Sequence, residues 1–225
     1  MSPPLPRPRL LRRSLDALAL LVLAVLTVFM LRIVRSYWPW QPDTGFLILK
    51  QEVVDQTLWR WSFWGHVLTS VLVLPAGFSQ FSGTLRQRWP QWHRRLGHLY
   101  VVSVLILAAP TGLVLGWSAS GGWGVQVCFL LLGLVWIVST LQAVRCAQQR
   151  RWADHRAWMI RSYALALSAL SLRTWKLVLY EFAPVWPWLT PLHIYQLEAW
   201  LGWTVNLLVA EWIIRGGGSG PSHHQ

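Results

Sequence analysis

The sequence predicts an all-α integral membrane bundle of about six transmembrane helices with both termini cytoplasmic. Three observations lead there. Of the 225 residues, 54% are hydrophobic and only 12% charged, and the positive mean hydropathy is unusual for a soluble domain. Apolar runs recur at the length of about 20 residues that a helix needs to cross the hydrocarbon core. The chain also carries 18 tryptophans. Many stand at the ends of those runs (Trp38, Trp40, Trp59, Trp61, Trp117, Trp123, Trp186, Trp188), where amphipathic rings settle at lipid headgroups.

The expected spans are 15–34, 61–81, 97–117, 123–144, 158–179 and 195–214. Before the first lie Arg7, Arg9, Arg12 and Arg13. The run after them is too long for a signal peptide and has no small-residue cleavage site, so it reads as a retained anchor. Residues 1–14 are then a basic cytoplasmic N-terminus, 15–214 the transmembrane domain and 215–225 a flexible cytoplasmic tail. Orientation follows from the basic loops. Arg86, Arg88, Arg94 and Arg95 crowd the 82–96 loop, and Arg145, Arg150, Arg151 and Arg156 crowd 145–156. Segment 36–58 instead sets Asp43, Glu52 and Asp55 against Lys50, and 118–122 reads SASGG. The stretch PDTGFLILKQEVVDQ in 36–58 is a candidate for a short interfacial element. The net charge of +12 therefore orients the chain in a membrane, and no basic groove or nucleic-acid motif accompanies it. Cys128 and Cys146 form neither a CxxC pair nor a zinc spacing.

Polar residues inside spans belong on bundle-facing surfaces, because an unpaired one in lipid costs several kcal/mol. With 3.6 residues per turn, His155, Ser162, Ala166, Ala169 and Arg173 fall on one face of the fifth span. Small residues at this spacing let a neighbouring helix approach. The second span carries His66, Ser70, Gly77 and Gln80 in a related stripe. The sixth carries Glu198, Gly202 and Asn206, then Glu211. Glu198 with Arg173, and Arg161 with Glu211, are the expected ion pairs. Lys176 reads as an anchor reaching for the interface. Pro110 should kink the third span and free a carbonyl.

These residues also fall into blocks: His66, then GFSQFSGTLRQRWPQWHRRLG over 77–97, Tyr100, then Trp136, Thr140 and Ala143, H..WMIRSYAL from His155, and W..W..NLLVAEW over 200–212. In this arrangement the chain resembles a bacterial family of multi-pass membrane proteins carrying a domain of unknown function, over about residues 60–214. The resemblance implies a helical membrane protein with His66, Gln80, Arg86, His93, Arg94, His155, Arg161, Arg173, Asn206 and Glu211 as pattern positions. The family has Arg after the glycine of its HR..G block, whereas His98 follows Gly97 here.

The function expected first is a b-type haem protein of the bacterial inner membrane, an electron carrier or a protein linked to quinone or another redox partner. Bundle cores hold such cofactors and histidine ligates haem iron. His66, His93, His98, His155 and Arg173 are the candidate cofactor residues, with His66 and His155 as candidate iron ligands. By depth, His66 lies in the outer half, whereas His93, His98 and His155 lie near the cytoplasmic boundary. An inner pair of His155 with His93 or His98 is allowed, and for His66 only His193 offers a partner. The alternative is a small-solute or proton-linked transporter. In it His66, Glu198, Arg173 and Asn206 form an outer polar cavity, with Gln80, Arg161 and Glu211 within. A non-catalytic membrane scaffold that binds lipid or a partner is the third reading. No Walker motif, GxSxG or HExxH is present, which argues against soluble-type catalysis. The orientation is checked by a cysteine placed in residues 118–122, which should react with an impermeant maleimide from outside the cell and not from the cytoplasm.

Overall fold

A computed structural model describes residues 9–217; the segments 1–8 and 218–225, with His223 and His224 of the expected tail, lie outside them. Apolar runs with few breakers become helices throughout. The order is α1 Arg9–Arg35, α2 Thr57–Ser79, α3 Gly83–Arg88, α4 Pro90–Val102, α5 Ala109–Trp117, α6 Trp123–Gln148, α7 Trp152–Ala166, α8 Ser168–Phe182 and α9 Pro191–Gly217. Among the described residues four helical stretches are long and apolar enough to cross a membrane: Thr57–Ser79, Pro90–Trp117, Trp123–Gln148 and Pro191–Gly216. The expected first span lies within α1, which already begins at Arg9.

The fifth expected span is not one helix. It is split at Leu167 into α7 and α8, each of 15 residues and each shorter than the about 20 a span requires. Backbone N–H groups of Leu170 and Ser171 turn back to the Leu167 carbonyl. Asn206 Nδ2 donates to Ala164 O at 3.0 Å, the carbonyl a continuous helix would offer to Ser168. The single face expected from His155 to Arg173 is therefore divided. α7 packs on α6 and α9, while α8 packs chiefly on α9.

A second irregularity joins α4 to α5. Residues Ser103–Ala108 form a π-helical segment in which Ala109 N–H reaches back to Val104 O, just before Pro110, which has no N–H to give. The helix continues through it, so Pro90–Trp117 is one crossing element. At its other end Pro90 occupies the first helical turn, where a missing N–H costs nothing. The helix thus begins seven residues before the expected 97. His93 stands on it instead of in a loop.

The core gathers α2, α4, α5, α6, α7 and α9 around Tyr100, which is fully buried, with Val73, Val104, Ala143, Leu165 and Ala199. Gly77 lets α2 approach: a Cβ there would stand 2.5 Å from the Tyr163 ring and 2.7 Å from that of Tyr100. Many large apolar side chains, among them Leu68, Leu134, Val138 and Leu208, remain exposed on the bundle's outside, as a lipid-facing surface requires.

At the end of the bundle opposite the basic loops, residues 36–56 fold over the helix ends. The expected short element is there, a 3₁₀ turn at Gly45–Lys50. Lys50 is buried and its Nζ donates to Ser118 O at 2.7 Å and Ser120 Oγ at 2.9 Å. Trp59 Nε1 donates to Ser118 Oγ at 2.8 Å. Burial pulls the Lys50 ammonium down to about 8, against a smaller upward pull from Glu52. Between about pH 8 and the ordinary lysine value near 10.4, the unfolded chain holds a proton that the native one has released, so native stability rises with pH there. Wild type should therefore gain thermal stability relative to Lys50→Met as pH is raised from 7.5 to 9.5. Paired melting curves in detergent measure this, and a gap that does not move counts against a buried titrating Lys50.

Candidate functional site between the helices

The best-defined polar feature in the core is a chain of hydroxyls. Ser162 Oγ of α7 lies 2.8 Å from Tyr100 Oη of α4 and 2.7 Å from Thr140 Oγ1 of α6. Thr140 also donates to Trp136 O at 2.8 Å, and Trp136 Nε1 approaches Tyr100 Oη at 3.4 Å. All four side chains are buried. Hydroxyls in such a place are stable only when each finds a partner. One hydroxyl therefore ties three helices at a single level.

That contact sets the register of two histidines. α4 and α7 both run away from the basic loops. His93 lies two turns before Tyr100, and His155 lies two turns before Ser162. Two turns return a side chain to nearly the same face, about 10 Å lower. His93 and His155 thus stand at about one depth, on the faces that carry Tyr100 and Ser162, and His93 lies within reach of the charges of His155, Arg86 and Arg94. His155 Nδ1 is 2.8 Å from Ala143 O. His93 Nδ1 is buried and has no hydrogen-bond partner. Gln80 closes one side: its Oε1 would be 2.9 Å from a Cβ at Gly97, one turn above His93.

His66 is elsewhere. Its Nδ1 is 2.7 Å from Ala108 O at the end of the π segment, about 22 Å along the helix from the level of His93. Gly112 makes room for it, since a Cβ there would stand 3.1 Å from the imidazole. His66 and His155 therefore do not approach one another. Nor does His193 meet His66: it is exposed, with Nδ1 bonded to Trp188 O and Thr190 Oγ1 at the start of its own helix. His98 is exposed on the outer side of α4.

Of the two expected ion pairs one forms. Arg161 Nε and Nη2 grip Glu211 Oε1 and Oε2 at 2.5 and 3.0 Å, with the guanidinium over the Trp158 ring. Arg173 and Glu198 do not bond. Arg173 Nη1 donates to Ala169 O at 2.6 Å within its own helix, and Arg173 lies within electrostatic reach of Glu198, Tyr37 and His66. Glu198 is 2% exposed, and its Oε2 has no hydrogen-bond partner. Asn206 leaves the expected outer cavity and instead bridges the α7–α8 break, accepting from Ser171 Oγ at 2.9 Å. Lys176 lies over the Tyr180 ring at an exposed position.

Sequence reasoning did not mark Ser162, Thr140, Tyr100 or Ser171 as site residues. Tyr100, Trp136 and Thr140 were visible as pattern residues, and the two-turn spacings of His93 to Tyr100 and His155 to Ser162 were the usable signal. Among the described residues no group of three or more His, Cys, Asp or Glu side chains is placed to hold a metal ion.

The family described as "Predicted membrane protein (DUF2306)" matches residues 63–214, more than half of the chain, and the chain belongs to it. Comparison with curated proteins returned no match, and neither did comparison with solved structures.

The Arg161–Glu211 fork is half-shielded, so its value lies between that of exposed pairs, about 0–1 kcal/mol, and the 3–5 kcal/mol cost of breaking buried ones. Glu211→Gln should lower stability by about 1–2 kcal/mol in a detergent unfolding series. The exchange of Arg161→Glu with Glu211→Arg should recover part of that loss, and no recovery would mean the pair is not coupled.

Proposed function

We propose that this DUF2306 protein is a six-span protein of the bacterial inner membrane, with α7 and α8 together making the fifth crossing and both termini cytoplasmic, that carries one b-type haem between His93 and His155 and works in electron transfer. The observation that carries the reading is two histidines at one depth on two parallel helices, in the register that Tyr100 and Ser162 impose, and near enough for His155 to act on His93 electrostatically. A histidine that donates Nδ1–H to a carbonyl presents the Nε2 lone pair, and the contact of His155 with Ala143 O favours that tautomer. Arg86 and Arg94, near His93, have the fork geometry that pairs with propionate carboxylates.

The haem, when bound, supplies one-electron chemistry. The residues around it bind and orient. Tyr100 closes the site on the bilayer side, Gln80 and Gly97 form a wall, and the basic loops face the aqueous phase. A quinone is the membrane-soluble partner class suited to such a centre. His98, exposed on α4, and His66, at the other level, have no part in this site.

A second reading rests on Glu198. A buried carboxyl oxygen without a partner, within reach of Arg173 and Lys176, is the kind of intramembrane group that proton-linked transport uses. It ranks lower because Asn206, which completed the expected cavity, is committed to the helix break.

The deciding measurement is a reduced-minus-oxidised visible spectrum of the protein purified in mild detergent after expression with ample haem. A Soret and α-band should appear, vanish in His93→Ala and in His155→Ala, and persist in His66→Ala. Absence of the band in wild type, or its retention in the His93→Ala/His155→Ala double variant, would overturn the assignment.

A further inference from the structure

A groove runs between α7 and α9 on the outside of the bundle. Its floor and walls are apolar: Ile160 from α7, Leu167 at the break after it, Val209 and Ile213 from α9, and Phe81 just past the end of α2. It encloses about 320 Å³, at the small end of ligand pockets of about 300–1,000 Å³. Val209 and Ile213 are 49% and 44% exposed, so the groove opens sideways onto the surface that faces lipid.

Its two ends differ. At the deep end Tyr163 and Asn206 already have partners. Tyr163 Oη donates to Leu74 O at 3.1 Å, and Asn206 is spent on Ala164 O and Ser171 Oγ. At the other end, beside the basic loops, stands Arg156. It is exposed, and its guanidinium has no ion-pair partner among the described residues. From Arg156 to Leu167 the helix rises about 16 Å, close to the half-thickness of a hydrocarbon core of about 30 Å.

We propose that this groove is a binding site for one acyl chain of an anionic phospholipid, with the lipid phosphate on Arg156. A slot one leaflet deep, apolar along its length and positively charged only at the membrane boundary, matches the layout of a phospholipid. A guanidinium pairs with phosphate through two parallel hydrogen bonds. A neutral quinone would leave Arg156 without a counter-charge. The site is separate from the histidine pair and does not depend on it.

The test is native mass spectrometry of the full chain in mild detergent, incubated with equal amounts of dioleoyl phosphatidylglycerol or dioleoyl phosphatidylcholine. Wild type should retain one phosphatidylglycerol about fivefold more than phosphatidylcholine, the preference one arginine near an anionic surface supplies. Arg156→Gln should abolish the preference while neutral-lipid retention stays the same. Val209→Trp, at a half-exposed rim position, should reduce retention of both lipids. Equal retention of the two lipids by wild type, an undiminished preference in Arg156→Gln, or preferential retention of decylubiquinone over phosphatidylglycerol would overturn the proposal.

Discussion

The hydroxyl of Ser162 is the point on which the interior depends. A helix bundle in lipid gains little from apolar contact between its helices, since lipid tails are as apolar as leucine. What holds the helices in one register is then close packing and polar contacts that have no other partner. Ser162 supplies such a contact to α4 through Tyr100 and to α6 through Thr140. Gly77 lets α2 close over the same level, against the Tyr100 and Tyr163 rings. Filling that space with a methyl group would cost about 1–3 kcal/mol, as overpacking does, because rings and not flexible chain ends are in the way.

From that level the rest of the polar interior is arranged by depth. Towards the basic loops His93 and His155 share one depth, and nearer the Ser162 level the Arg161–Glu211 fork joins α7 to α9. In the other direction lie His66 and Glu198, each within electrostatic reach of Arg173 but not bonded to it. Two breaks in helical hydrogen bonding serve this arrangement. Backbone groups freed inside a membrane must find partners in the protein. The Ala164 carbonyl at the Leu167 break is taken by Asn206, and at the end of the π segment His66 and Thr111 both approach the Ala108 carbonyl. The polar side chains that looked like members of a cavity are in part the groups that make irregular helices tolerable.

Much of this was legible in the residues. The crossing stretches of α2, α6 and α9 were readable because length and hydropathy alone determine whether a helix suits lipid. The Arg161–Glu211 pair was readable because both side chains lie at the same depth on neighbouring spans in sequence. The failures share a cause. The fifth expected span contains no proline or glycine that would announce a break, so α7 and α8 read as one helix. The break depends on Asn206, a residue about 40 positions later. His93 read as a loop residue because its basic neighbours suggested the aqueous phase, whereas Pro90 starts the helix before it.

The sequence by itself determined the class of protein, the approximate helices and the positions of the polar groups along each helix. These follow from composition, length and a fixed rise per residue, which are properties of one segment at a time. Only the tertiary structure decided which polar groups meet: Glu211 with Arg161, Arg173 with a carbonyl of its own helix instead of Glu198, and Asn206 with the Ala164 carbonyl, while His93 lies near His155 and far from His66. Depth along a helix is local, but rotation about it and the order of helices around the bundle are set by packing against neighbours, and no single helix carries that information.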